Sequence, residues 1–207
     1  MVSGKKNIAI QLSNLKANYS PNFILEQYEL DSENSLNFIL NILPHSEKKV
    51  ILDAGCGSGS LTIAAIKLGV NYVISLDLDF NALKNLKYNA KKYNMYQYID
   101  IIQADFLNFY LSRKIDEIMM NPPFGTKIRN MDKKFLIKSF DLSDKIFSLH
   151  KERNDKFFIR LAKKNGCSLY KIGTLRYVIK NIFPFHRKKK HVIYLAQYLF
   201  LKKHDKE

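Results

Sequence analysis

Asp53, Asp77 and Asp105 each close an apolar run, and Gly55, Gly57 and Gly59 follow the first of them. Glycines let a chain turn sharply and bring its backbone against a ligand with no Cβ in the way. Dinucleotide sites carry G-x-G-x-x-G at such a place. Here the spacing is G-x-G-x-G and Ser60 takes the position of the last glycine, which argues against a pyrophosphate grip. An acid before the glycines suits a different ligand. Asp53 can hold the ammonium of an amino-acid-like group, directly or through water. Asp77 can accept hydrogen bonds from both hydroxyls of a ribose. Asp79 is close enough to compete, but its place before an apolar-periodic run makes it a helix cap. Asp105, with Phe106 beside it, can accept from an adenine amino group while the phenyl ring covers the base. One such acid alone is as well explained as a cap or turn former. Three at consecutive run ends, with glycines after the first, point to a nucleoside that carries an amino acid.

Asn121-Pro122-Pro123-Phe124 follows a fourth apolar run directly. Pro-Pro is stiff, extended and without backbone donors, so it can simply end a strand. It can also do chemistry. An exocyclic amine is a poor nucleophile because its lone pair is delocalised into the ring. The Asn121 side-chain oxygen and the Pro122 carbonyl can accept its two N–H bonds, which favours a pyramidal nitrogen able to attack in line. Alignment and stabilisation of positive charge developing on nitrogen then do the work, and no strong base is needed. Phe124 offers a face for a flipped base, and Pro122, acting through its carbonyl, uses its ring mainly to fix the geometry.

These residues need a frame. Val50-Ile51-Leu52 is apolar without alternation, as in a parallel strand covered on both faces. Helical periodicity follows over Leu61–Leu68 and ends at Gly69. Further strands are expected at Tyr72–Leu76, Ile99–Ala104, Ile115–Met120 and Ile146–Leu149, and helices at Asn81–Tyr93, Phe135–Leu142 and Phe157–Lys164. Two extended segments, Leu169–Tyr177 and Val192–Leu201, have no clear helix between them and suit an antiparallel hairpin at one edge. The alternation predicts an α/β sheet with helices on both faces. In such sheets ligands bind at the carboxyl ends of the strands, where these motifs stand. Residues 22–43 read as a helix that Pro44 ends. The chain is expected to form a single domain over 1–207, with an N-terminal helical extension over 1–48 and a Rossmann-like core over 49–207.

The 207 residues carry 34 Lys+Arg against 19 Asp+Glu, a net charge of +15, which favours a polyanionic partner over a charge that serves only solubility. His186-Arg187-Lys188-Lys189-Lys190 concentrates that charge before the last apolar segment. The two cysteines, Cys56 and Cys167, have no metal-ligand or disulfide spacing, so no metal is expected. No run is long enough for a membrane span or a secretory signal, and a cytoplasmic location is the expectation.

The acid–glycine pattern resembles the class I S-adenosylmethionine-dependent methyltransferases. The resemblance implies a seven-stranded, mostly parallel sheet of order 3-2-1-4-5-7-6 with one antiparallel strand, and S-adenosylmethionine as cofactor. Asn121 to Phe124 resembles the Asn/Asp-Pro-Pro-aromatic motif of amino-methyltransferases, which methylate adenine N6, cytosine N4 or a glutamine amide. Leu25-Glu26-Gln27-Tyr28, the extended Asn121-to-Lys127 stretch, Ser148-Leu149-His150-Lys151 and Phe185-to-Lys190 together look like the small N6-adenine RNA methyltransferases related to methyltransferase-like protein 5. That family modifies small-subunit ribosomal RNA. By resemblance Gln27 and Tyr28 would close over the cofactor, and Asp53, Gly55, Gly57, Asp77, Asp105, Phe106 and Asn121 would hold it. Asn121, Pro122, Pro123 and Phe124 would hold the adenine. Lys127, His150, Lys151 and the basic run from His186 to Lys190 would contact RNA. Glu29-Leu30-Asp31 departs from the family, which often has Thr or Pro soon after Glu-Gln-Tyr. The resemblance also allows a small zinc-binding activator that covers an exposed apolar strand.

Three other readings compete. Release-factor glutamine methyltransferases commonly end the motif in Tyr and carry a separate helical N-terminal domain, whereas Phe124 ends it here and too few residues precede the first strand. DNA adenine methyltransferases often carry a target-recognition domain for which this chain has no room. A non-catalytic RNA-binding module on the same fold would have no use for Asp53, Asp77, Asp105 and Asn121 together.

Overall fold

The computed structural model describes residues 2–17, 29–47, 49–124, 129–152, 155–180 and 190–203. Seven strands, β1 (Val50–Ala54), β2 (Tyr72–Asp77), β3 (Ile99–Gln103), β4 (Glu117–Met120), β5 (Lys145–Lys151), β6 (Cys167–Lys180) and β7 (Lys190–Lys202), form one sheet of order β3-β2-β1-β4-β5-β7-β6. β1 to β5 pair in parallel, and β7 runs antiparallel to both β5 and β6. The hairpin expected at the edge is therefore present, with β7 inserted inside β6.

Alternation along β1 explains why its core carries no polar residue. Ile51 packs into the apolar cluster of one face and Leu52 into that of the other. The first face is covered by α1 (Val2–Ser13), α2 (Ser32–Ile42), α3 (Ser60–Lys67) and α4 (Phe80–Lys92), and the second by α5 (Met131–Leu142) and α6 (Asp155–Lys164). Asp31 caps α2 by accepting from Asn34 N at 2.8 Å, and Asp79 caps α4 by accepting from Asn81 N at 2.8 Å. Of the helix read over 22–43, α2 covers Ser32–Ile42; residues 29–31 are not helical, because Asp31 caps α2 in an extended conformation, and residues 22–28 lie outside the described residues.

β4 starts two residues later than its apolar pattern suggested. Ile115 N bonds Leu142 O outside the ladder, and Glu117, fully buried, opens the strand. Its carboxylate accepts from Ser46 Oγ, from Glu47 N at 2.7 Å and from Lys145 Nζ at 3.3 Å. β6 and β7 are longer than expected. β5 pairs with β7 only as far as Lys151↔Leu195, while β6 and β7 continue to Lys180↔Lys190. Those last five residues of ladder project roughly 17 Å past the carboxyl end of β5. Among the described residues no helix is long and apolar enough to cross a membrane.

Candidate active site

The glycine loop joins β1 to α3 at the carboxyl edge of the sheet. Gly55, Gly57 and Gly59 all have positive φ, of 77°, 55° and 89°. Gly59 is the most constrained: a Cβ there would lie 2.2 Å from Leu86 Cδ1 of α4, so only glycine lets α3 start this close to α4. Gly55 N and Cys56 N both bond Leu76 O, which folds the loop back onto β2. Cys56 is buried, and burial together with the carboxylates of Asp53, Asp77 and Glu29 holds its thiol well above the usual range. It is a packing residue rather than a nucleophile.

Asp53 has no solvent exposure. Thr62 Oγ1, in the first turn of α3, donates to its Oδ2 at 2.7 Å and lies 2.9 Å from Ser75 Oγ. Asp53 Oδ1 is buried with no hydrogen-bond partner among the described residues. Burial pushes this carboxyl up to about 7; the Thr62 hydrogen bond opposes that rise and the nearby Asp77 charge adds to it. A buried acceptor with no donor is what a cationic ligand would complete. The ammonium and sulfonium of S-adenosylmethionine fit that requirement, and the positive-φ loop beside it lets backbone approach the ligand.

Asp77 and Asp105 stand at the ends of β2 and β3 as expected, and each already organises its own backbone. Asp77 Oδ2 accepts from Gly57 N and Oδ1 from Asp79 N, at 2.8 and 2.9 Å. Asp105 opens a short 3-10 turn, accepting from Leu107 N at 3.0 Å and Asn108 Nδ2 at 2.8 Å. Each carboxylate oxygen retains a second lone pair for a ribose hydroxyl or an adenine amine. Phe106 is buried, its ring 4.9 Å from that of Phe135. Phe135 Cε1 in turn lies 3.6 Å from where a Gly55 Cβ would be. Phe135 therefore walls the loop, a role that nothing in its sequence neighbourhood signals.

Asn121 to Phe124 leave β4 one strand away. Met119 is the register partner of Asp53, so Asn121 follows two residues beyond the buried acid. Pro122 is buried, and Asn121, Pro123 and Phe124 are half-buried. Lys151 Nζ lies 5.3 Å from the Phe124 ring centroid, within reach of a cation–π contact. Lys151 thus stands at the reacting-group motif.

His150 does not. The residue expected to touch RNA is 1% exposed. Side chains alternate along β5, so Lys151 faces the motif while His150 turns to the opposite, α6-covered face. There it shares a 2.8 Å hydrogen bond with Ser148 Oγ and lies 3.9 Å, ring to ring, from Phe158. Burial lowers its pKa to about 3, so it is a neutral core histidine and no RNA contact. Gln27, Tyr28, Lys127 and the segment from His186 to Lys189 lie outside the described residues. Lys190 opens β7 at the end of the projecting ribbon, on the catalytic edge of the sheet. Besides Phe135, two residues that the sequence reading missed stand beside the glycine loop and Asp53. Thr62 holds Asp53, and Glu29 Oε1 accepts from Ser58 N of the loop at 3.2 Å while its backbone oxygen accepts from Tyr177 Oη at 3.0 Å.

Residues 27–142 match the methyltransferase small domain family. Protein MJ0284 of Methanocaldococcus jannaschii is 31% identical over 89% of this chain and 88% of its own length. The rRNA N(6)-adenosine-methyltransferase METTL5 of Danio rerio is 31% identical over 82% of this chain and 84% of its own. Among solved structures, PH1948 of Pyrococcus horikoshii superposes with a TM-score of 0.85 at 29% identity, over all of both chains. Similarity of this extent, on a fold whose glycine loop and strand-end acids suit the cofactor, makes the chain a member of the methyltransferase small domain family, a class I methyltransferase of the METTL5-like group whose methyl donor is S-adenosylmethionine.

Proposed function

We propose that the protein transfers a methyl group to the N6 amine of an adenosine in small-subunit ribosomal RNA. The observation that carries this reading is the position of Asn121-Pro122-Pro123-Phe124, one strand from Asp53 and two residues past its register partner Met119. S-adenosylmethionine supplies an electrophilic methyl on a sulfonium. Asp53 holds the ligand's ammonium, Asp77 its ribose and Asp105 its adenine. The Asn121 side-chain oxygen and Pro122 carbonyl accept from the target amine, and Phe124 stacks on the target base with Lys151 above it. Alignment and these acceptors lower the barrier without a general base. The methyl carbon exchanges its bond to sulfur for one to nitrogen, the neutral thioether is the leaving group, and the nitrogen's surplus proton passes to water; His150, neutral and buried, has no part in that. The curated relatives named as rRNA N(6)-adenosine methyltransferases support the choice of RNA and of N6.

The substrate approaches the catalytic edge, where Lys190 and the basic run before it meet phosphates. A small zinc-binding activator would cover the free sheet edge at β3, where Ile101 and Ile102 are only part-buried. The molecule acts as one domain in the cytoplasm. The test is incubation with radiolabelled S-adenosylmethionine and, separately, ribosomal RNA, DNA and a release factor. Label recovered as N6-methyladenosine from RNA supports the reading. Label in the release factor would replace it with glutamine methylation.

A further inference from the structure

Helix α4 carries four lysines and no acidic residue, the largest charge of any helix covering the sheet. From Phe80 to Ile99 there is no acidic residue, whereas Asp132 and Asp141 lie in α5 and Asp155 in α6. Phe80, Lys84, Lys87, Tyr88 and Lys91 fall at i, i+4, i+7, i+8 and i+11, which puts all five on one face of the helix. All five are exposed, and Tyr96 in the turn after the helix extends the row. Phe80 is 58% and Tyr88 53% exposed, far more than apolar packing on the sheet would leave.

Two ordinary explanations fall short. A solvated helix face usually interleaves signs, and like charges three and four residues apart cost stability. None of these lysines has an ion-pair partner among the described residues. The helix dipole accounts for Lys91 in the last turn but not for Lys84 or Lys87. The lysines do lie over the rings: Lys84 over Phe80 at 5.8 Å, Lys87 and Lys91 over Tyr96 at 5.7 and 5.6 Å. Lys16 lies over Tyr88 at 5.4 Å. All of these distances are near the outer limit of a cation–π contact, and a cation takes only one face of a ring, so the other stays available. Cations interleaved with open aromatic faces suit phosphates and unstacked bases together. The row is also placed for it. α4 begins directly after Asp77-Leu78-Asp79, so its first turn stands at the catalytic edge and the stripe descends one flank from there.

We propose that the outward face of α4, centred on Lys84, Lys87, Tyr88 and Lys91, is an RNA-docking surface that grips the strand flanking the target nucleotide. The proposal rests on the RNA reading above. The footprint would then run from the β6–β7 ribbon across the active site to the opposite half of the sheet.

The test uses the full chain with small-subunit ribosomal RNA, measuring affinity between about 50 and 200 mM salt. Replacing Lys84, Lys87 and Lys91 together by Gln should reduce the slope of log affinity against log salt by about 2 to 3. Affinity at the low-salt end should fall at least tenfold. Cofactor affinity and melting temperature should hold. Tyr88→Ala should weaken binding about fivefold or more, and Tyr88→Phe should restore it, as base stacking requires. A folded triple variant with wild-type affinity and slope overturns the proposal. So does one that keeps RNA affinity but loses a protein partner, which would make the face a protein interface. Wild-type protein that binds no RNA at all would instead bring down the substrate reading itself.

Discussion

The two halves of the sheet position their chemistry by different means. In the β1–β3 half the three site acids stand at or just past the ends of their strands, and their partners are close in sequence or in the neighbouring loop: Asp53 to Thr62, Asp77 to Gly57 and Asp79, Asp105 to Leu107 and Asn108. In the β4–β7 half the contacts that hold the ribbon in place are distant in sequence. Tyr198 Oη donates to Asp155 Oδ1 at 2.6 Å, and the ribbon reaches the catalytic edge only through thirteen residues of β7 laid against β5 and β6. The half proposed to hold the cofactor is fixed mainly by local geometry and the half proposed to meet the substrate mainly by tertiary assembly. One half can therefore be damaged with little effect on the other.

The largest separation is expected at Asn121. Asn121→Ala should lower methyl transfer by at least about a hundredfold, as loss of one positioned polar group does elsewhere. Cofactor affinity by calorimetry should change less than about threefold. Equal loss of both would mean that the halves are not separate. Gly59→Ala should act in the other half. Its Cβ meets Leu86 at 2.2 Å and its φ of 89° disfavours any side chain, so unfolding in urea should show a loss of about 2–4 kcal/mol. A wild-type midpoint would remove the close approach of α3 and α4 as the reason for the glycine.

The next effect is in pH. With its carboxyl raised to about 7, Asp53 is largely protonated in the free protein below that pH. A cationic ligand binds the ionised form, so affinity is full above pH 7 and declines as pH falls through it, about tenfold for each further unit. Cofactor titration across that range checks the sign. Asp53→Asn should bind weakly at every pH and lose the inflection. The smallest effect is expected at His150. His150→Phe leaves Ser148 Oγ without its partner and should cost about 1–2 kcal/mol of stability, read by thermal melting. RNA affinity should stay within about twofold, since the side chain is buried. A larger drop would return His150 to the RNA contacts.

The same division governs how much was legible in the sequence. Strand-end acids, the glycine loop and the hairpin follow from local pattern, and the sheet order follows from the resemblance those patterns carry. What pattern could not supply was which face of a strand is covered by what. His150 and Lys151 are neighbours in a basic pair, and only the packing of α6 on one face of β5 sends the first into the core and the second to Phe124. Thr62 and Phe135 are equally silent. Each is an ordinary helix residue until the fold brings it beside Asp53 or the glycine loop. Glu29, which stands where the family pattern breaks, was visible as an oddity, and its contact with Ser58 N gives that oddity a place.

β7 lies between β5 and β6, although β6 precedes it in the chain. This fixes an order of assembly. β6 cannot join the sheet until β7 has been made and has slotted in beside β5, so a chain interrupted before Lys190 leaves the edge of β5 bare. A bare edge of apolar residues such as Ile146, Phe147 and Leu149 is a template for pairing with other chains. Chains interrupted before β7 should therefore be lost to aggregation and not persist as half-active enzyme, so that β7 acts as a checkpoint on synthesis having passed both edge strands.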